Sequence, residues 1–281
     1  MNKRVLGQTG EMLSMVGFGG ILVTDEEPAV ASRLVAEAIE RGVNYFDVAP
    51  TYGNAEERLG PALEPYRKDV FLACKTTQRL AEGAAFELER SLQRLRTDHF
   101  DLYQCHSVTT LEDVEQITGP GGALEVFLQA QKDGRVRHIG FSAHGEEAAL
   151  ALMERHPFAS ILYPVNWVTW HQGPFGARTM ARARELGMGV LALKTMAKRK
   201  IAEGEPRPWK KCWYVPAESY DEAELGFRFT FSRPVTAGPC PGHVHLFRWM
   251  CDAAERFTPL SPQEEQMVME RGRELAPIFP R

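Results

Sequence analysis

The chain lacks most of the features that mark a secreted, membrane-bound or metal-clustered protein. Its five cysteines, Cys74, Cys105, Cys212, Cys240 and Cys251, are odd in number and form no C-x-x-C pair. That argues against a disulfide framework, a zinc ribbon and an iron–sulfur cluster. No run of about 18 uninterrupted apolar residues occurs, so no membrane span is expected. Met1-Asn2-Lys3-Arg4 leads into a mixed polar segment rather than the apolar centre of a signal peptide. A cytoplasmic protein in a reducing compartment is the expectation. The 33 Lys and Arg against 37 Asp and Glu leave a net charge of −4, which offers no general attraction to nucleic acid or to an anionic membrane. Also missing are a Gly/Ser linker, a low-complexity run and a G-x-G-x-x-G in the first strand–helix turn. The last absence disfavours a doubly wound dinucleotide fold.

What is present, in 281 residues of which 44% are hydrophobic, is a regular alternation of short apolar runs and amphipathic stretches. A turn at Thr9-Gly10 suggests a hairpin ahead of a first strand ending in Gly17-Phe18-Gly19-Gly20, where glycines allow a ligand close to the backbone. Thr24 and Glu27 have capping-box spacing ahead of an apolar stripe through Val30, Leu34, Val35, Ala38 and Ile39. Further strands are expected over 44–47, 70–75, 100–106, 138–142, 161–164, 190–194 and 235–238. Helices are expected through Glu56, Leu59 and Leu63, capped by Asn54, through Leu88, Leu92 and Leu95, and over 123–133, 146–154, 177–186, 222–232, 246–254 and 263–275. Eight strand–helix pairs without a second nucleation centre predict one (β/α)8 barrel domain over 1–281, with an N-terminal hairpin and an extra C-terminal helix.

In such a barrel, reactive groups gather at the C-terminal ends of the strands. Strands two, three and four end in Asp47, Lys75 and His106, and Tyr52 follows Asp47 on a loop. Successive ionisable strand ends pointing into one mouth bring a carboxylate, an ammonium, an imidazole and a phenol together. The period of two turns Cys74 and Cys105 outward to the helix layer.

At these residues the chain closely resembles the aldo-keto reductases, in GVNYFDVAPTYGNAEERLG, FLACKTT, DLYQCH, GRVRHIGFSAH and GVLALKTMA. The Leu193-Lys194-Thr195-Met196 form is similar to one bacterial branch. The resemblance implies a catalytic tetrad of Asp47, Tyr52, Lys75 and His106 that reduces an aldehyde or ketone with a hydride from NADPH, NADH being the alternative. Tyr52 would donate the proton, Lys75 favour its phenolate, Asp47 keep Lys75 charged, and His106 orient the carbonyl. It also implies cofactor contacts at Gly19, Gly20, Asp47, Ser142, Leu193, Lys194, Thr195, Met196, Gly242, His243, Arg248 and Asp252, with Arg248 on the adenosine 2′-phosphate or stacked on adenine. Ala143 and Leu162 depart from the family's usual asparagine and glutamine at the nicotinamide. His243 and His245, if protonated, would add positive charge near phosphate. Their H-x-H spacing invites a metal reading, but metal-dependent barrel hydrolases carry that pattern at the first strand and with further carboxylate and histidine ligands at later strands, so no metal is expected.

The insertion over 198–220 interleaves basic and aromatic residues. At a barrel mouth it reads as a lid over dinucleotide and substrate rather than a nucleic-acid surface. Trp167 and Trp170 are expected as apolar walls of the substrate pocket. The partner is then a small-molecule carbonyl, and the chain's end at Arg281 without a cysteine-rich extension argues against iron–sulfur electron transfer. A second function fits the same residues: a nicotinamide-binding regulatory subunit that senses redox state, with incidental turnover. Rapid multiple turnover by the isolated chain would separate the two.

Overall fold

The computed structural model describes residues 1–172 and 176–279. The hairpin forms as expected, from β1 (Lys3–Val5) and β2 (Met12–Ser14). Eight parallel strands follow the order given by β3 (Val16–Gly19), β4 (Tyr45–Asp47), β5 (Phe71–Thr76), β6 (Phe100–Val108), β7 (Val136–Ala143), β8 (Ser160–Pro164), β9 (Gly189–Leu193) and, after a two-stranded insertion of β10 (Ala197–Lys200) and β11 (Tyr214–Pro216), β12 (Gly238–Pro239). Each barrel strand pairs with the next and β12 pairs with β3. The ring closes where Ala192 N donates to Ala237 O at 2.8 Å and Thr236 N to Val190 O at 2.8 Å. A doubly wound sheet would leave these edges apart.

Alternation along each strand divides the core in two. Inside the ring lie Leu102, Leu162 and Leu191, closed from below by Leu6 and Leu13 of the hairpin. Outside it, residues such as Phe46, Cys74, Tyr103 and Cys105 pack against the helices, so both thiols point outward as their positions predict. The helices are α1 (Pro28–Glu40), α2 (Ala55–Leu63), α3 (Ala81–Arg94), α4 (Leu111–Thr118), α5 (Ala123–Lys132), α6 (Glu146–Met153), α7 (Trp167–Gln172), α8 (Ala177–Glu185), α9 (Tyr220–Phe231), α10 (Val244–Glu255) and α11 (Pro262–Arg273). In α1 the buried stripe is Ala31, Leu34, Val35 and Ala38, and each such leucine or valine contributes about 1.5–3 kcal/mol by leaving water. No helix among the described residues is long and apolar enough to cross a membrane.

Three local expectations are corrected. Thr24 does not cap α1, because Pro28 presets the first helical turn and Glu27 becomes the extended N-cap residue. The Thr24 hydroxyl instead donates to Tyr52 O at 3.0 Å. Asn54 precedes α2 without capping it by its side chain, since its Oδ1 accepts from Asp25 N at 2.8 Å. The last barrel strand begins later than 235, because Val235 N is still closing a turn on Arg233 O at 2.7 Å. Three of these elements were not anticipated: α4, opened by a Thr110–Asp113 capping box, the short α7, and the β10–β11 hairpin within the basic insertion.

Candidate active site

Register sets the floor of the site. Pairing of β4 with β5 and of β5 with β6 brings Asp47 opposite Ala73 and Lys75 opposite Gln104, so the inward side chains at the strand ends converge. Asp47 and Lys75 are 2% and 0% exposed and form a direct ion pair. A buried charge requires such a partner. Lys75 Nζ also donates to Val48 O at 3.2 Å. The second oxygen of Asp47 accepts from the buried phenol of Tyr45 at 3.0 Å, a contact absent from the sequence-based set. Burial pushes the Lys75 ammonium down, but Asp47 beside it prevails and its pKa is raised. Lys75 therefore stays charged.

Tyr52 is held over this pair by its loop. Tyr52 N donates to Ala49 O at 3.0 Å and Ala55 N to Tyr52 O at 3.1 Å, Thr24 adds its hydroxyl to the same carbonyl, and Gly53 takes φ +58°. The Lys75 ammonium lies 5.5 Å from the Tyr52 ring centroid. Burial raises the phenol above its ordinary value, and Asp47 adds to this while Lys75 opposes it. Lys75 pulls toward the phenolate, and burial outweighs it. Before any ligand binds, Tyr52 is a protonated phenol.

His106 stands edge-on to Tyr52, ring centroids 6.0 Å apart at 86°. Burial first, then Lys75 and other cations, bring its pKa down to about 3, so it is a neutral imidazole at physiological pH. Its Nδ1 is buried without a partner. The backbone after it is held tightly: Arg79 donates to His106 O at 2.9 Å and to Ser107 O at 3.1 Å, Ser107 sits at φ +58°, and Ser107 N donates to Ser142 Oγ at 2.7 Å. Arg79 is thus a support that strand-end reasoning did not reveal.

These groups open into a cavity of about 240 Å³ whose lining includes Asp47, Tyr52, Lys75, His106, Ser142 and Leu162. Leu162 supplies an apolar wall, while Ala143 faces the outer helix layer, and its departure from the family pattern leaves the cavity untouched. Gly19, Leu193, Lys194, Thr195 and Gly242 line the other side. Gly20 does not line it; the residue packs against Val48, where a Cβ would fall 2.8 Å from the valine methyl. Met196 is 1% exposed and joins the outer core. Lys194, at φ +67°, has its ammonium 5.1 Å from the Trp213 ring and 5.0 Å from Tyr214. Burial lowers its pKa to about 8. Thr195 Oγ1 is buried and unpartnered.

The insertion folds across this mouth. Lys211 Nζ donates to Leu22 O at 3.0 Å and to Glu26 at 2.8 Å, while Lys211 N donates to His243 Nε2 at 3.2 Å. Two of its other cations are paired too, Arg199 with Glu205 and Lys198 with Glu218 and Glu222. His243 accepts from an amide, and burial followed by Lys211 lowers its pKa, which disfavours the protonated form imagined from sequence. His243 is the N-cap residue of α10 without a capping side-chain bond, leaving amides of that first turn open to an anion. Among the described residues no three His, Cys, Asp or Glu side chains gather as a metal site.

Farther out on α10, Arg248 forms a two-point pair with Glu37 of α1, at 2.7 and 2.8 Å, and Asp252 pairs with Arg41. Neither lines the cavity. Trp167 is corrected as a substrate residue: it is 7% exposed and packed with Val168, Phe229 and Val268, because α7 turns it toward α9 and α11. Trp170 stacks on the Arg233 guanidinium, 4.7 Å from the ring centroid. Trp213, from the insertion, lines the mouth instead.

The model of the Aldo/keto reductase family matches residues 15–211. Oxidoreductase YqkF of Bacillus subtilis is 33% identical over 157 residues, 51% of this chain and 49% of that protein. L-galactose dehydrogenase of Arabidopsis thaliana is 29% identical over 227 residues, 73% of this chain and 69% of that protein. The match to the first of these spans about half of that relative's length. The holo form of aldo-keto reductase AKR11C1 from Bacillus halodurans superposes with a TM-score of 0.74 at 25% identity, covering 96% of each chain.

Proposed function

Because this chain belongs to the aldo/keto reductase family, we propose that it reduces aldehydes or ketones to alcohols, with Tyr52 as the proton donor. The observation that carries this is the buried Asp47–Lys75 pair beneath a protonated Tyr52 and beside a neutral His106. NADPH, or NADH in its place, supplies the hydride when bound. The residues present suit a dinucleotide: among the described residues Lys194 is a cavity cation without a carboxylate partner and Thr195 Oγ1 and His106 Nδ1 have no partner, and the first turn of α10 is uncapped by a side chain.

The roles follow from charge. His106, neutral and fixed by the strand behind it, donates a hydrogen bond to the substrate oxygen and aims it at Tyr52. As negative charge grows on that oxygen, Tyr52 gives up its proton. Lys75 steadies the phenolate left behind, and Asp47 keeps Lys75 in place. Burial holds the proton on Tyr52 until the oxygen becomes the stronger base. Ser142, Lys194, Thr195 and the Gly242 loop bind and orient the dinucleotide, and Arg248 meets its adenosine end. Trp213, Leu193 and Leu162 give an apolar surround that suits an aromatic carbonyl.

Fluorescence titration of the purified chain with NADPH and NADH, followed by addition of aromatic aldehydes, tests this directly. Saturable binding and multiple turnover are expected. Binding with no oxidation across the panel would count against carbonyl reduction.

A further inference from the structure

Inside the barrel, below the cavity, lies one phenol that the proposed reaction does not use. Tyr45 is wholly buried and precedes Asp47 by two positions on β4, so the period of a strand puts both side chains on the inner face. Its hydroxyl donates to Asp47 Oδ2 at 3.0 Å, while Asp47 Oδ1 accepts from Lys75. We propose that Tyr45 is a positioning residue for the reduction, fixing the Asp47 carboxylate from below so that Lys75 is shared correctly between Asp47 and Tyr52. This rests on Tyr52 being the proton donor.

The ring is built into place. Gly17 lies opposite Tyr45 in the β3–β4 register, and a Cβ on Gly17 would fall 2.5 Å from Tyr45 Cδ1. The tyrosine thus occupies the space that the glycine leaves. Phe71 bounds it on the β5 side, ring centroids 6.2 Å apart and nearly edge-on. A phenol held on two sides has little freedom to point its hydroxyl elsewhere.

The direction of the hydrogen bond is fixed as well. An ionised carboxylate only accepts, and burial together with Asp47 raises Tyr45 far above the ordinary phenol range, so Tyr45 keeps its proton and donates. That donation draws negative charge toward Oδ2 and away from Lys75. Without it, Asp47 neutralises Lys75 more fully and Lys75 steadies the Tyr52 phenolate less. Tyr52 then holds its proton more strongly. Reduction needs protonated Tyr52, so its rate falls as pH rises through the Tyr52 pKa, and a higher pKa moves that alkaline limb upward.

The test is Tyr45→Phe, which keeps the ring and removes only the hydroxyl. Cofactor Kd and carbonyl KM are expected to stay within about twofold, while kcat falls about tenfold, as for loss of a hydrogen bond to a charged group. The alkaline limb of kcat should move to higher pH. In an Asp47→Asn background the added Tyr45→Phe change should alter kcat less than about twofold, since its effect passes through that carboxylate. Wild-type kcat and an unmoved limb in Tyr45→Phe, or equal losses in both backgrounds, would overturn the proposal. If Tyr45→Phe does not fold, 3-fluorotyrosine placed only at position 45 retains the volume and donates more strongly. The limb must then move to lower pH, and an unmoved limb again overturns the proposal. A wild-type chain that reduces no carbonyl, or a Tyr52→Phe variant with full turnover, would instead remove the reductase function on which this rests.

Discussion

The dinucleotide site proposed above has a barrel-floor end and an adenosine end, built from similar residues in opposite environments. At the barrel floor, Lys75 and Asp47 are both nearly inaccessible, and every oxygen of that carboxylate has a donor within the barrel. At the adenosine end, the Arg248 and Glu37 side chains are 48% and 27% exposed, as suits a pair on the surface of α1 and α10. A buried pair is costly to break and holds a fixed geometry. An exposed pair contributes about 0–1 kcal/mol and exchanges partners readily. On the proposed function, the chemistry belongs to the floor and the outer end contributes adjustable grip. The family match divides at the same place, covering residues 15–211 with the floor and not the α10 segment.

Breaking the floor should do the most damage. Lys75→Met leaves Asp47 buried without its cation, so turnover should drop about 10²–10⁴-fold and the chain should lose about 3–5 kcal/mol of stability. Steady-state assays and denaturant melts check both. Lys194 lies between the two regimes. It is cationic below about 8 and neutral above, and anion binding favours the cation. Cofactor affinity should therefore weaken as pH rises through that value. Lys194→Met should weaken binding about tenfold and abolish that pH dependence, which titrations from pH 6 to about 10 would reveal. The outer pair gives the smallest effect. Glu37→Gln frees Arg248 for the 2′-phosphate and should improve the NADPH over NADH preference by no more than about fivefold, with the gain shrinking in high salt. A change much larger than this would mean that the adenosine end is not the weakly coupled surface its exposure suggests.

How far this division could be seen beforehand follows from the distances involved in sequence. Asp47, Lys75 and His106 were legible because a period of two and a strand end suffice to place them. Tyr45 carried the same signal, two residues before Asp47, but its partner could be named only once the ring was seen to fill the space at Gly17. The partner of Arg248 lies on α1, 211 positions away, and no local pattern specifies it. Trp167 misled for a related reason. Trp167 and Trp170 show only that two large apolar groups lie close together in the chain, while packing against α11 decides where Trp167 turns. In the insertion, the basic run at 198–200 concealed a strand in which Lys198 and Arg199 pair with nearby carboxylates.

The most direct test of the account is a side-by-side measurement of cofactor Kd and single-turnover rate for the wild-type chain and Tyr52→Phe, each loaded with NADPH and mixed with an aromatic aldehyde. Equal Kd values within about twofold and a rate in Tyr52→Phe lower by about 10²–10⁴ are expected. A Tyr52→Phe rate within a few-fold of wild type would contradict the assignment of Tyr52 as the proton donor and, with it, the claim that the chemistry resides at the barrel floor.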